Sequence, residues 1–159
     1  MQMLISDTNI FFDLREGNLL DLFFRLPYQF AVSDVVYHEE LAHDFFSLLE
    51  LGLQVLELNA ASMQAVSQLT RVYTRPSRND LFGLQLAKER QCPLLTGDQA
   101  LRSAAKKEHV AVHGTVWVLE ELYRFGLCPK SEILLASQKM QSAGRRLPWD
   151  IIHQTFSLT

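Results

Sequence analysis

Short apolar runs recur along the chain, and each is followed by a stretch in which apolar residues return at helical spacing. Residues 3–6, 30–32, 55–58, 93–96 and 110–112 read as strands, near-continuously apolar as buried parallel strands are. Asp7-Thr8-Asn9 offers three capping or turn residues before the helical run IFFDL. A second helix is predicted over 18–25, ending before Pro27. Between 35 and 51, Val35, Leu41, Phe45, Leu48 and Leu49 cluster on one side at helical spacing, and Gly52 supplies a stop. A helix over 62–73 is broken by Pro76, after which Ser77 caps another helix running to about Gln91. Helices follow Asp98 and Gly114-Thr115, the latter ended by Gly126, and two more cover 131–143 and 148–156.

Strands alternating with helices of about ten residues imply right-handed βαβ crossovers. The expected architecture is α/β: a parallel sheet of four to five strands covered by helices on both faces, in three layers. With 159 residues and 48% hydrophobic content, one domain spanning 1–159 is expected, with residues 143–159 carrying an appended C-terminal helix. The basic turn Gly144-Arg145-Arg146 is a place for that last helix to swing or dock separately.

A net charge of −3 does not draw the chain onto nucleic acid, so such a role needs a local basic patch or a metal ion. Cys92 and Cys128 lack the paired spacing of a zinc site or disulfide framework. No leader-like segment opens the chain and no apolar stretch reaches the roughly 20 residues that span a bilayer. A cytoplasmic protein without membrane attachment is expected.

Four acids fall where a strand ends or a helix begins: Asp7, Glu39, Asp80 and Asp98. Singly, Asp7 and Asp98 read as helix caps, Asp80 as the acid of a capping box with Ser77, and Glu39 as part of a solvated helix face. Together they converge, because strand ends in a parallel sheet share one edge and ligands bind in the crevice there. Crowded carboxylates repel one another unless a cation compensates. A hard divalent ion, Mg²⁺ or Mn²⁺, prefers such oxygen ligands and leaves room for phosphate oxygens.

Through Asp7-Thr8-Asn9, the spacing from Ser33 to Glu39, Asn79-Asp80 before an apolar helix, and Leu95-Thr96-Gly97-Asp98, the chain resembles the PIN-domain nucleases over nearly its full length. The run LLTGDQALRSAAKKEHVAVHGTVWVLEEL is similar to a bacterial and archaeal subgroup often encoded as the toxin of a toxin–antitoxin pair. The resemblance implies a five-stranded parallel sheet, a Mg²⁺- or Mn²⁺-dependent ribonuclease, a homodimer and, for toxin members, an antitoxin that blocks the site. It places Asp7, Glu39, Asp80 and Asp98 on the family's acidic quartet, and Asn9 and Thr96 on polar positions that help hold ligands or water. The six-residue offset from Ser33 favours Glu39 as the second acid, whereas the family's acid-then-leucine pair favours Glu40.

Single-stranded RNA also needs cations for its phosphates. Arg71, Arg75 and Arg78 flank the approach to Asp80, and Arg102 lies one turn past Asp98; Arg75, Arg78 and Arg102 are the expected phosphate contacts, against a reading as solvated surface residues. The paired phenylalanines 11–12, 23–24 and 45–46 read as packing rather than base stacking, and Trp117 as core. His38, His43 and His113 lack a third ligand at zinc-like spacing.

Three other readings compete. A haloacid-dehalogenase-like phosphatase needs a second aspartate two residues after the first, where Asn9 stands. A receiver domain needs a lysine after its last strand, where Val112-His113-Gly114 stands. A non-catalytic PIN-like module that binds RNA or protein would keep the fold without the reaction.

Overall fold

The structure, a computed structural model, describes residues 1–43 and 47–157. Five parallel strands form one sheet: β1 (Gln2–Ser6), β2 (Tyr28–Ser33), β3 (Gln54–Leu56), β4 (Leu94–Leu95) and β5 (Val112–His113), in the order β3-β2-β1-β4-β5. The chain steps outward from β1 through β2 to β3, then crosses back to lay β4 on the other flank of β1. That reversal opens a crevice at the carboxyl ends of β1 and β4. Ser6 pairs with Leu95 there, and the Asp7 amide donates to the Leu95 carbonyl at 2.8 Å.

Helices cover both faces. One layer contains α1 (Thr8–Glu16), α2 (Leu20–Phe23), α8 (Thr115–Arg124), α9 (Lys130–Ser142) and α10 (Trp149–Phe156). The other contains α5 (Ala60–Val72), α6 (Arg78–Arg90) and α7 (Gln99–Lys107). Period-two alternation divides the strand side chains between them: Leu4, Phe30, Val32 and Leu95 enter the first core, Ile5, Ala31 and Leu94 the second. Phe11, Phe23 and Phe30 are fully buried in the first core, with the Phe23 and Phe30 rings 3.8 Å apart between centroids. Burying each such ring contributes about 1.5–3 kcal/mol. The Phe45–Phe46 pair lies outside the described residues.

Three segments differ from the sequence expectation. The helix over 18–25 shrinks to α2, since Asn18 sits at φ 56° in the left-handed region. Strand β5 begins at Val112 rather than at 110, although the Ala111 carbonyl still accepts from Leu94. The single helix over 35–51 is replaced by α3 (Asp34–Val36), a widened turn at Tyr37–Leu41 and α4 (Leu48–Leu51). In the widened turn the Ala42 amide donates to the Tyr37 carbonyl, five residues back, at 2.8 Å. Val36 and Leu41 would diverge by about 140° in a regular α-helix. Wider spacing brings them to one face, and both are buried.

The C-terminal segment docks against α1. A Cβ on Gly17 would stand 2.6 Å from the Met140 methyl and 3.3 Å from the Ala136 Cβ, so α9 approaches α1 where no side chain intervenes. Asp13, buried on α1, accepts from Thr115 Oγ1 at 2.9 Å and from Arg145 Nε at 2.7 Å. Burial pushes the Asp13 carboxyl up, against the lowering effect of Arg145 and Thr115. Cys92 is half-buried and Cys128 buried, both as free thiols. No helix among the described residues is long and apolar enough to cross a membrane.

Removing Arg145 strands a buried carboxylate. Arg145→Ala is therefore expected to lower stability by about 3 kcal/mol at neutral pH, the lower end for a buried pair because the arginine is partly exposed. Without its cation, Asp13 takes up a proton more readily folded than unfolded, so the loss shrinks as pH falls. Urea denaturation at neutral and acidic pH checks both statements.

Candidate active site

Asp7 and Asp98 reach the sheet edge because a strand hands over to a helix whose first amides need acceptors, and Asp80 arrives in the first turn of α6, which follows α5. Asp7 follows β1 and caps α1, and Asp98 caps α7, accepting from the Leu101 amide at 2.8 Å. At the start of α6, Ser77 and Asp80 form a reciprocal capping box: Ser77 Oγ accepts from the Asp80 amide at 3.0 Å, and Asp80 Oδ2 accepts from the Ser77 amide at 2.9 Å. The ordinary capping reading is thus fulfilled for three of the acids. It coexists with convergence, since capping uses one oxygen of each carboxylate of Asp80 and Asp98.

Asp7 is the deepest member. Thr96, wholly buried at the end of β4, donates its hydroxyl to Asp7 Oδ2 at 2.8 Å and accepts from the Asp98 amide at 3.1 Å. One threonine thereby ties the two strand-end aspartates together. Burial pushes the Asp7 carboxyl up to about 6. The charges of Asp80 and Asp98 push the same way, while the Thr96 hydroxyl and the Asn9 amide, 3.4 Å from Oδ1, hold it down.

Ser6, Asp7, Thr8, Glu40, Asn79 and Asp80 line the cleft. Its interior, ≈ 10 Å³, is the size of a single water and far below that of an organic ligand. Asn79 Nδ2 donates to Glu39 Oε2 at 2.9 Å and to Glu40 Oε2 at 3.0 Å, holding both glutamates over the edge. Of the two, Glu40 lines the cleft and accepts from Thr8 Oγ1 at 3.4 Å; Glu39, favoured by the offset from Ser33, stays outside the lining. The widened turn is the reason. Reasoning at 100° per residue assigns the faces of a regular helix, and Tyr37–Leu41 is not one.

The expected RNA contacts are dispersed. Arg75 lines a groove of ≈ 420 Å³ with Gln99 and Lys107. The Arg78 guanidinium lies 5.0 Å from the Phe82 ring centre. Arg102 Nη1 donates to the Thr96 carbonyl at 3.1 Å, bracing the β4–α7 turn. None of the three lines the acid cleft. Among the histidines, His113 stacks on Trp117 at 4.3 Å, and burial holds its pKa down.

Sequence reasoning did not single out Thr8, or Arg145 as a neighbour of the site. Arg145 Nη2 donates to Asn9 Oδ1 at 3.2 Å, linking positions 136 residues apart with no local signal between them. In sequence Thr8 signals only a cap or turn, and its reach to Glu40 depends on the widened turn.

An oxygen-only donor set suits Mg²⁺ or Mn²⁺. Among the described residues, no three His, Cys, Asp or Glu groups converge tightly enough to enclose one ion by themselves. Mg²⁺ does not require that, since it commonly takes one or two carboxylates and keeps several waters. The residues fit such an ion as an open, partly hydrated site.

A parallel α/β sheet with carboxylates gathered at its switch point defines a class of proteins that bind ligand at the strand ends. A family model for the PIN domain matches residues 3–159, and the chain belongs to that family, whose members are generally nucleases. No curated protein matches the chain in sequence. Among solved structures, it is similar to VapBC2 from Rickettsia felis bound to a DNA fragment from its promoter, at 14% identity over 71% of this chain and 98% of that one, with a TM-score of 0.52. It is also similar to a PilT N-terminus domain protein from the hyperthermophilic archaeon Sulfolobus solfataricus P2, at 16% identity over 76% of this chain and 92% of that one, with a TM-score of 0.49.

Because the folded value of Asp7 lies above the 3.8 of a free aspartate, the metal-free fold binds this proton more tightly than the unfolded chain does. Stability from this group is therefore greatest at acid pH and declines as pH rises through about 6. Asn keeps the capping oxygen and removes the charge. In metal-free protein, Asp7→Asn is expected to add about 1–3 kcal/mol at about pH 8 and little near pH 4. Urea midpoints at the two pH values decide it, and equal shifts at both would remove the charge argument.

Proposed function

We propose that this chain is a divalent-metal-dependent endoribonuclease that hydrolyses phosphodiesters of single-stranded RNA, with Asp7, Asp80, Asp98 and Glu40 as its acid set. The observation that carries the reading is the gathering of Asp7, Asp80 and Asp98 at one sheet edge, with Thr96 tying the first to the last. A half-buried carboxylate beside two others is a standing destabilisation that a bound cation would relieve. Family membership supports phosphodiester hydrolysis as the reaction class.

Mg²⁺ or Mn²⁺ at such a site supplies positive charge to the phosphodiester and activates water. The chain's own part is positioning. Thr96 fixes the plane of the Asp7 carboxylate and the backbone of Asp98, so the two acids keep one spacing. Asn79 holds Glu40 over the cleft, with Glu39 beside it as a further negative charge. Arg75, with Lys107 in the same groove, and Arg78 provide cations for phosphates away from the cut. Hydrolysis of this kind leaves a 5′-phosphate and a 3′-hydroxyl.

We extend the proposal to the toxin half of a toxin–antitoxin pair, with a cognate antitoxin covering the site and a homodimer as the working form. The toxin-like run from Leu94 to Leu122 supports that reading, as does a fold shared with VapBC2 of Rickettsia felis.

The test is cleavage of mixed single-stranded RNA by purified protein in Mn²⁺, Mg²⁺ and EDTA. Cutting is expected only with metal. Asp7→Asn and Asp98→Asn are expected to lose at least about 100-fold in rate, and Thr96→Val about 10-fold, in the range for partners that orient metal ligands. Glu40→Gln is expected to cost more than Glu39→Gln; the reverse order would move the fourth acid back to Glu39. Folded, partner-free protein that never cuts would favour a non-catalytic binding module, and a 2′,3′-cyclic phosphate product would contradict the hydrolytic route.

A further inference from the structure

Beside the acid cleft, a groove of ≈ 420 Å³ runs between the start of α1 and the turn joining α9 to α10. Asn9, Gly97 and Asp98 line its inner side; Gly144, Arg145 and Arg146 line its outer side. Gly144 sits at φ +84°, a conformation open to glycine, and it turns the chain so that both arginines come back toward the strand ends. Their duties differ. Arg145 is committed inward, to Asp13 and Asn9. Arg146 lines the same groove, is exposed, and has no hydrogen bond or ion pair among the described residues.

Size separates the two spaces. The cleft lined by Asp7, Asp80 and Glu40 is ≈ 10 Å³, whereas the groove, which Asp98 lines, falls in the range that accepts a nucleotide-sized group. It is continuous with the acids through Asp98 and Asn9, and its outer side carries a cation on a chain whose net charge is −3. An acidic peptide densely set with carboxylates would crowd them against Asp98. A nucleic-acid strand carries one phosphate per nucleotide with a neutral sugar and base between successive phosphates, so one phosphate can meet Arg146 while neutral groups face Asp98.

We infer that this groove is a single-stranded RNA subsite, in which Arg146 binds a phosphate flanking the one presented to the acid cleft. The inference rests on the ribonuclease reading above and adds the direction of the strand's approach, between α1 and the α9–α10 turn. Arg146 is a substrate-binding residue and takes no part in the chemistry.

The experiment compares the full chain with Arg146→Ala, Arg146→Glu and Arg25→Glu. Arg25, exposed next to the start of β2, makes the same charge change at the far end of the sheet. Binding of a short fluorescent single-stranded RNA is followed by anisotropy in EDTA across a salt series, and KM for cleavage is measured in Mg²⁺. Arg146→Glu is expected to weaken binding about tenfold and to raise KM in parallel, and Arg146→Ala to flatten the log–log salt slope by about 0.7, the value for one phosphate on a single strand. Arg25→Glu should stay within about twofold of the native chain. If the native chain cuts RNA while Arg146→Glu and Arg25→Glu behave alike, the subsite is wrong and the nuclease stands. A native chain that neither binds nor cuts RNA overturns both.

Discussion

Like charges brought to one sheet edge repel, and the surroundings of the strand ends are organised around that repulsion. Parallel pairing of β1 with β4 puts Asp7 and Asp98 at adjacent strand ends, and the start of α6 adds Asp80. Donors then arrive from several independent elements: the Thr96 hydroxyl, the Asn9, Ser77 and Leu101 amides, and the Asn79 carboxamide on both glutamates. These bonds restrain the acids without neutralising them. Burial, with the charges of Asp80 and Asp98 acting the same way, leaves the Asp7 carboxyl raised despite those donors, unlike an ordinary exposed helix cap.

Caps and strands were legible because their determinants are local. Ser77 followed three residues later by Asp80 is a complete capping signal, and the box forms. Apolar runs bounded by Asp7 and by Gly97-Asp98 marked the two strands that place the strand-end acids. The parallel, three-layer arrangement followed from the alternation of elements, and the sheet has five strands. What was not legible depended on geometry away from the local repeat. Glu39 and Glu40 are chemically equal neighbours, and choosing between them requires the rotation per residue, which the turn at Tyr37–Leu41 changes. Arg145 is invisible for a different reason: its partners, Asp13 and Asn9, lie more than 130 positions away, and an Arg-Arg turn carries no local sign of them.

The C-terminal segment is more than an added helix. Gly17 lets α9 close on α1, and the Asp13–Arg145 pair fastens the following turn to the helix that Asp7 caps. One side of the groove beside the acids is thus built from the first helix and the other from residues 144–147. The same docking carries Arg146 to the rim without a long loop. Stability of the C-terminal turn and shape of the groove are two readings of one contact.

The widened turn at Tyr37–Leu41 encodes position by length. One more residue per turn than an α-helix carries is what aligns Val36 with Leu41 and sets Glu40 against Thr8. Excising any one residue from that stretch would restore ordinary helical spacing and swing the carboxylates around the axis, even with every remaining side chain intact. Tolerance to substitution and tolerance to deletion therefore part company here. The segment can exchange side chains more freely than it can lose a residue, so its function is written in residue count as much as in residue type.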